Sequence, residues 1–340
     1  MRAFACPTCR SLVFFGNDRC ITCGSWLAYD RVTSDLVVVA EDEPRRCANR
    51  LIAACNWLLD PSTIPGGLCG SCRLTRTRPS DDDEPAMTAF ARTEAAKRRL
   101  VYQLDHLGLP TTSRADDPGH GLAFDLLSSS YAPVTTGHAG GVITIDLAEG
   151  HDPHREAMRV QLAEPYRTLL GHLRHEIGHW YWDVLVDGTP FLDRFRDLFG
   201  DEREDYASAL TRHYAKPVGN EWTESHVSHY AAAHPWEDWA ETFAHYLHIK
   251  DTMQTAAAWG MKIDGPDLDL NLAWDAALEV EPGEHVESFD ELSRGWIAFS
   301  MAMNAINRSM GHDDLYPFRL PPGVLAKMRF AHVVVTSRRG

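Results

Sequence analysis

All eight cysteines of this chain lie between Cys6 and Cys72, and none follows in a sequence of 340 residues. Disulfides of an exported protein would be spread along the chain, whereas cysteines crowded into one segment are typical of metal binding in a reducing compartment. Cys6 and Cys9 form one Cys-x-x-Cys pair, and Cys20 and Cys23 form another ten residues later. Each pair can give two thiolates to one tetrahedral zinc ion, so these residues predict a closed, structural zinc site.

The remaining cysteines are Cys47, Cys55, Cys69 and Cys72, of which only the last two form a Cys-x-x-Cys pair. We predict that these four thiolates bind a second structural zinc ion. The alternatives are free buried thiols or a redox pair at Cys69 and Cys72. A redox pair usually lies beside a strand–helix–strand unit, and the sequence shows no such pattern around it.

Three segments of the chain differ in composition. Residues 1–78 hold the cysteines and form a predicted zinc-ribbon region. Residues 79–85 contain two prolines, four acidic residues and no apolar residue, which is typical of a solvated linker. Residues 86–340 form the predicted main domain.

The secondary structure of the main domain is predicted from the spacing of its apolar residues. Helical spacing predicts helices over 86–106, 165–186 and 287–308, and another from residue 235. Alternating patterns predict strands over 122–127 and 142–147. The predicted fold class is α+β, mostly helical with a small sheet.

The sequence His-Glu-Ile-Gly-His at residues 175–179 is an H-E-x-x-H motif. Residues four apart share one face of a helix, so His175 and His179 can both reach one zinc ion. Glu176 projects beside them and can take a proton from a water molecule activated by the metal. His172, three residues earlier, is interpreted as a packed or surface histidine.

A third protein ligand is expected from the segment that begins at His234 and Pro235, because a catalytic zinc uses three protein ligands and one open position. Proline suits the first position of a helix, so Glu237 would fall in the first turn and Glu241 on the same face. One carboxylate can bind the metal while the other orients a ligating imidazole. Asp238 and His245 are weaker candidates for the third ligand.

The charge of the chain limits its partners. The formal net charge is −15, divided into +3 over residues 1–80 and −18 over the rest. An acidic body repels phosphate backbones, so nucleic-acid binding is not expected of the main domain. No stretch reaches the roughly 20 apolar residues of a membrane helix, and the N-terminus has no signal-peptide core. We therefore expect a cytoplasmic protein without a membrane partner.

Taken together, these motifs resemble a bacterial family of zinc-binding metallopeptidases that carry an N-terminal zinc-ribbon domain and a zincin-like site. The resemblance extends over nearly the whole chain, and its motifs fall at residues 6–9, 68–76, 166–172, 175–179, 199–203, 234–244 and 316–318. It implies a zincin-like domain that hydrolyses peptide or protein substrates, with one catalytic and two structural zinc ions. In zincins with a glutamate ligand the first acid of such a pair binds the metal, so the resemblance implies Glu237 rather than Glu241. It also implies that the strand over residues 142–147 borders the active cleft as an open edge.

Further hypotheses concern function. One of His226, His229, Tyr230 and His234 could donate a hydrogen bond to the developing oxyanion, and Tyr230 is the favoured donor. The rival interpretations are a non-catalytic regulatory protein whose ribbon binds a protein partner, and a protease that the ribbon recruits to nucleic acid. Intact Glu176 argues against the first rival. Arg73, Arg76 and Arg78 give the second some basis, but the acidic body weakens it.

Overall fold

The computed structural model describes residues 2–150, 168–215, 219–265, 274–275 and 288–337. The chain divides into two compact units. The first consists of Met1–Asp105 and Pro110–Leu162, and the second of His106–Leu109 and Ala163–Gly340. Helices dominate and the sheets are small, so the predicted α+β class with an N-terminal ribbon region is confirmed. Within the described part of the chain, no helix has both the length and the apolar character needed to cross a membrane.

The ribbon region contains two small antiparallel ladders, β1 (Phe4–Ala5) with β2 (Leu12–Val13) and β3 (Leu27–Asp30) with β4 (Asp35–Val38). The two Cys-x-x-Cys pairs form matching turns. Arg10 and Gly24 follow the second cysteine of each pair with φ of 64° and 76°. Each donates its backbone N–H to the carbonyl of the first cysteine, at 2.9 Å in both turns. Such turns aim both thiols of a pair at one point.

A four-stranded sheet completes the first unit, in the order β5 (Thr75–Thr77), β6 (Ala123–Leu127), β8 (Val142–Asp146) and β7 (Gly137–Ala139). Helix α1 (Glu84–His106) lies in sequence between β5 and β6, which are parallel. This strand–helix–strand unit directly after Cys72 was missed in the sequence, because a three-residue strand carries too little pattern to recognise. The last two residues of the predicted linker at 79–85 are already the first two of α1, and the predicted domain boundary stays a prediction.

The prediction that the strand over residues 142–147 is an open edge is wrong. β8 pairs in parallel with β6 on one side and antiparallel with β7 on the other. The hairpin between β7 and β8 turns at Gly140 and Gly141, whose φ values of 53° and 82° favour glycine. β8 is therefore an interior strand of its sheet, paired with β6 along its whole length and with β7 over residues 142–144.

The second unit contains six described helices and one short ladder. The helices are α2 (Leu169–Leu185), α3 (Leu192–Phe199), α4 (Tyr206–Ala215), α5 (Pro235–Ala258), α6 (Phe289–Ser309) and α7 (Pro322–Thr336). The ladder pairs β9 (Lys262–Ile263) with β10 (Trp274–Asp275). Helix α2 begins after Thr168, whose side chain accepts a hydrogen bond from Gly171 N at 3.0 Å. Pro165 and Glu287, predicted to lie at helix starts, fall outside the described residues.

Helices α2 and α5 pack closely at Gly178. The indole N–H of Trp239 donates to the carbonyl of Gly178 at 2.9 Å, and the rings of Tyr181 and Phe243 lie 5.4 Å apart. These aromatic side chains are fully buried. Lys327 on α7 fixes the other side of α5, because its ammonium is 2.5 Å from the buried carboxylate of Asp238. The close packing of α2 against α5 brings the side chains of the two helices within contact distance of each other.

Candidate metal centre

Helix α2 presents His175, Glu176 and His179 in its buried central turns. The two imidazoles are one helical turn apart, and their Nε2 atoms are 3.2 Å apart. All three side chains are buried, with exposed fractions of 4–8% for the residues. Both imidazoles therefore lie on one face of α2, as their spacing in the sequence predicts.

Helix α5 brings a carboxylate to the same point. The side chain of His234 accepts a hydrogen bond from Trp236 N at 3.1 Å, and Pro235 occupies the first turn, as the sequence predicts. Glu237 follows in that turn, with Oε2 3.1 Å from His175 Nε2 and 3.5 Å from His179 Nε2. The three donor atoms thus form a compact triangle, and the group is among those that could hold a metal ion.

The triangle has the dimensions of a zinc site. A tetrahedral ion with bonds of about 2.0–2.1 Å separates its donors by roughly 3.3–3.4 Å. Glu237 Oε2 is buried and meets no hydrogen-bond donor in suitable geometry among the described residues, although both imidazoles are near. Burial alone would raise the pKa of Glu237, but His175 and His179 lower it well below its ordinary value. A buried, ionised oxygen facing two imidazoles fits a cation bound between them.

Glu241 lies behind His175 rather than inside the triangle. Its Oε1 is 2.8 Å from His175 Nδ1, the ring nitrogen that faces away from Glu237. Its Oε2 accepts a hydrogen bond from the Ser228 hydroxyl at 2.7 Å, and that hydroxyl accepts one from Ala231 N at 3.1 Å. The carboxylate therefore fixes the orientation of the imidazole, the role that the sequence left open between the two acids.

Replacing Glu241 with glutamine should weaken zinc binding by about 10–100-fold, because the carboxylate that orients His175 and raises its basicity is lost. The dissociation constant for zinc, measured by competition with a chelator of known affinity, tests this. Glu221→Gln is the matched control, since Glu221 is exposed in the same unit. Equal affinities for both variants would contradict the orienting role of Glu241.

Glu176 has the environment of a general base. One carboxylate oxygen, Oε1, lies 3.2 Å from His172 Nε2, so His172 borders the site. The other, Oε2, is buried without a hydrogen-bond partner among the described residues. Burial raises the pKa of Glu176, but the neighbouring histidines 172, 175 and 179 outweigh it and lower the pKa. The carboxylate is ionised at neutral pH and keeps one oxygen that can accept a proton.

Two tyrosines and a tryptophan surround the triangle. Tyr206, at the start of α4, donates its hydroxyl to Glu237 Oε1 at 2.6 Å. The ring of Tyr230 is 5.9 Å from that of His175, and the ring of Trp236 is 4.3 Å from that of His179. Burial and the charge of Glu237 raise the pKa of Tyr230, so its hydroxyl keeps its proton. Tyr230 lies beside the site, and its role towards an oxyanion stays a prediction.

No sequence pattern pointed to Tyr206 or Ser228. Both side chains act on glutamates of α5 from segments that precede it, Tyr206 on Glu237 and Ser228 on Glu241. Tyr206 is 31 residues from its partner, and neither residue belongs to a spaced motif. Two histidines that precede α5 make other contacts. His234 caps the N-terminus of α5, and His229 Nδ1 lies 3.2 Å from His213 Nε2.

Gly178 sets the separation between the two helices that carry the donors. A Cβ at this position would lie 3.1 Å from Ala240 Cα and 3.2 Å from Ala240 O, both backbone atoms of α5. Gly178→Ala should therefore push the helices apart, lower the free energy of unfolding by about 1–3 kcal/mol and weaken zinc binding. Urea unfolding and zinc titration measure the two effects. Gly219→Ala, where nothing lies within 4 Å, is the control, and equal values for both variants would contradict close packing.

The cysteines form the two predicted quartets, each with its thiols in one group. The Sγ atoms of Cys6 and Cys23, of Cys9 and Cys20, and of Cys55 and Cys69 are each 3.7 Å apart. A tetrahedral zinc ion with Zn–S bonds of about 2.3 Å separates its sulfurs by roughly 3.8 Å. The first quartet is partly exposed at Cys23, whereas all four thiols of the second are buried. Four converging thiols favour metal binding over a simple redox pair at Cys69 and Cys72.

The arginines that could attract nucleic acid each pair with an acid. Arg73 Nη2 is 2.6 Å from Asp116 Oδ1, and Arg78 Nη1 is 2.6 Å from Asp81 Oδ1. Arg76 forms a two-pronged ion pair with Asp125. Each of these charges is therefore paired within the chain, and the absence of a nucleic-acid partner stays a prediction.

Comparisons with known proteins match both parts of the chain. The model of the family described as "Putative zinc-binding metallo-peptidase" matches residues 86–334, and that of a zinc-ribbon domain matches residues 3–83. Uncharacterized proteins of Mycobacterium bovis and Mycobacterium tuberculosis are 50% identical to this chain over 337 residues, which covers 98% of this chain and 95% of each relative. No solved structure matches this chain.

Proposed function

The chain belongs to the zinc-binding metallo-peptidase family, and from that membership we propose that it is a zinc-dependent peptidase acting on peptide or protein substrates. The observation that supports the proposal most is the donor triangle of His175, His179 and Glu237, with the unpartnered carboxylate oxygen of Glu176 beside it. Three protein donors leave a fourth position open, as catalytic zinc sites do and structural ones do not.

The proposed reaction is hydrolysis of an amide bond by water. Zinc, when bound, is a Lewis acid that polarises the scissile carbonyl and makes water acidic near neutral pH. Glu176 takes the proton of the attacking water on its open oxygen and later delivers it to the leaving amine. Glu241 holds His175 in place during both steps through its bond to Nδ1. Tyr230 is the proposed donor to the developing oxyanion.

The two cysteine quartets are proposed to bind structural zinc ions, in addition to the catalytic one. Neither quartet leaves an open ligand position, so neither offers chemistry to a substrate. A purely regulatory, non-catalytic protein has no need of an ionised glutamate with a free oxygen beside the donors, and Glu176 is such a residue. The peptidase is therefore the better supported function.

Digestion of an unstructured peptide library tests the proposal. The wild-type protein is expected to cleave peptides as purified, to lose cleavage after zinc is removed by a chelator, and to regain it when zinc is restored. His179→Ala, which lacks one donor, should show no cleavage under any of these conditions. Cleavage that survives zinc removal, or that His179→Ala retains, would point to a contaminating protease or to another site. No cleavage by the zinc-restored wild type would contradict the proposal.

A further inference from the structure

The carboxylate of Glu237 is divided between two sets of partners. Its Oε2 faces the Nε2 atoms of His175 and His179, at 3.1 Å and 3.5 Å. Its Oε1 accepts a hydrogen bond from the hydroxyl of Tyr206 at 2.6 Å. The distance is in the short range for a hydroxyl donating to an ionised carboxylate, a bond about twice as strong as a neutral one. One oxygen of Glu237 therefore accepts the hydrogen bond of Tyr206, and the other faces the two imidazoles.

Tyr206 comes to this position as the first residue of α4, and its ring is held by aromatic neighbours. The ring lies 5.2 Å from that of His234 and 6.4 Å from that of Trp236, the residues that begin α5. The residue is nevertheless 40% exposed, so it fills no place in the apolar core. What it contributes to this region is chiefly a rigidly placed hydroxyl.

A glutamate can bind a metal ion through one oxygen or through both. Binding through both would occupy the position that a catalytic zinc keeps open for water and substrate. With Oε1 engaged by the Tyr206 hydroxyl, only Oε2 is directed towards the imidazoles. We propose that Tyr206 is a positioning residue that holds Glu237 as a one-oxygen ligand and thereby keeps the fourth coordination position open.

The inference rests on the proposed function for its zinc site alone and not on peptide cleavage. Its test is therefore made on metal binding. Tyr206→Phe removes the hydroxyl and keeps the ring. Tyr214→Phe is the matched control, because Tyr214 lies on the same helix and is 62% exposed. Both full-length variants are compared with the wild type for zinc affinity, by chelator competition, and for the visible spectrum after cobalt replaces the catalytic zinc.

Tyr206→Phe is expected to weaken zinc binding by about 10–100-fold, the usual effect of losing a residue that orients a ligand. Its cobalt spectrum should weaken as well, because a glutamate that binds through both oxygens raises the coordination number, and five-coordinate cobalt absorbs less than four-coordinate cobalt. The spectrum separates positioning from general loosening, which would lower the affinity without changing the coordination number. Tyr214→Phe should match the wild type in both measurements.

Three outcomes would overturn the inference. They are wild-type affinity and spectrum in Tyr206→Phe, weaker affinity with an unchanged spectrum, and loss of the fold in Tyr206→Phe while Tyr214→Phe folds, which would make the residue structural. Peptide cleavage is measured separately. An inactive wild type with the expected changes in Tyr206→Phe would contradict the proposed peptidase and still support the role of Tyr206.

Discussion

Replacing Glu176 with glutamine is expected to abolish peptide hydrolysis while leaving the zinc content and the fold unchanged. Glutamine has almost the size of glutamate, and Glu176 is not one of the three donors that converge on the metal position. An amide cannot accept the proton of the attacking water. The general-base contribution of about 10²–10⁴-fold is therefore lost, and more where the same group also serves the leaving amine.

The measurement is the rate of cleavage of one peptide by the wild type and by Glu176→Gln at matched zinc content. His172→Gln is a companion variant, because His172 lies 3.2 Å from Glu176 Oε1 and is not one of the three donors. It should reduce the rate much less than Glu176→Gln. A Glu176→Gln variant that cleaves as fast as the wild type would remove Glu176 from the mechanism and favour a regulatory zinc protein.

The metal content of the purified protein is expected to be about three zinc ions per chain, one for each of the three donor groups. His179→Ala should lower the value to about two and leave both cysteine quartets loaded. Cys55→Ser should lower the thermal unfolding temperature more than Cys23→Ser does. The quartet of Cys55 is fully buried, and zinc binding supplies folding free energy to such sites.

Elemental analysis of protein purified without added metal gives the zinc content, and thermal unfolding gives the structural effect. Cys23→Ser is the control for the buried quartet, since Cys23 is exposed in the other one. A wild-type value near one would exclude the structural sites in the ribbon. A value near three that His179→Ala does not change would exclude the proposed catalytic site.

The sequence predicted those parts of the site that depend on local spacing. Residues four apart on a helix must share a face, so His175 and His179 could be paired without a structure. Pro235 marked the start of α5, and this placed Glu237 in its first turn. Cys-x-x-Cys pairs likewise account for all four thiols of the first group and for two of the four in the second. Each of these inferences spans only a few residues along the chain.

The parts that were missed depend on contacts between distant segments. Tyr206 and Ser228 reach their glutamates across 31 and 13 residues, and no periodic pattern records such hydrogen bonds. The predicted open edge of β8 failed for a related reason, because the short strand β7 covers that side and three residues give no recognisable alternation. Local pattern shows which residues carry chemistry, whereas strand order and supporting hydrogen bonds are decided by tertiary packing.

Anomalous diffraction at the zinc absorption edge, from crystals of the protein purified without added metal, tests the central claim most directly. The structure predicts one peak at bonding distance, about 2.0–2.2 Å, from His175 Nε2, His179 Nε2 and Glu237 Oε2. Glu241 should stay on the far side of His175, bonded to Nδ1. A peak bound by Glu241 with Glu237 turned away, or no peak at this position in crystals whose cysteine quartets are occupied, would contradict the proposed catalytic centre.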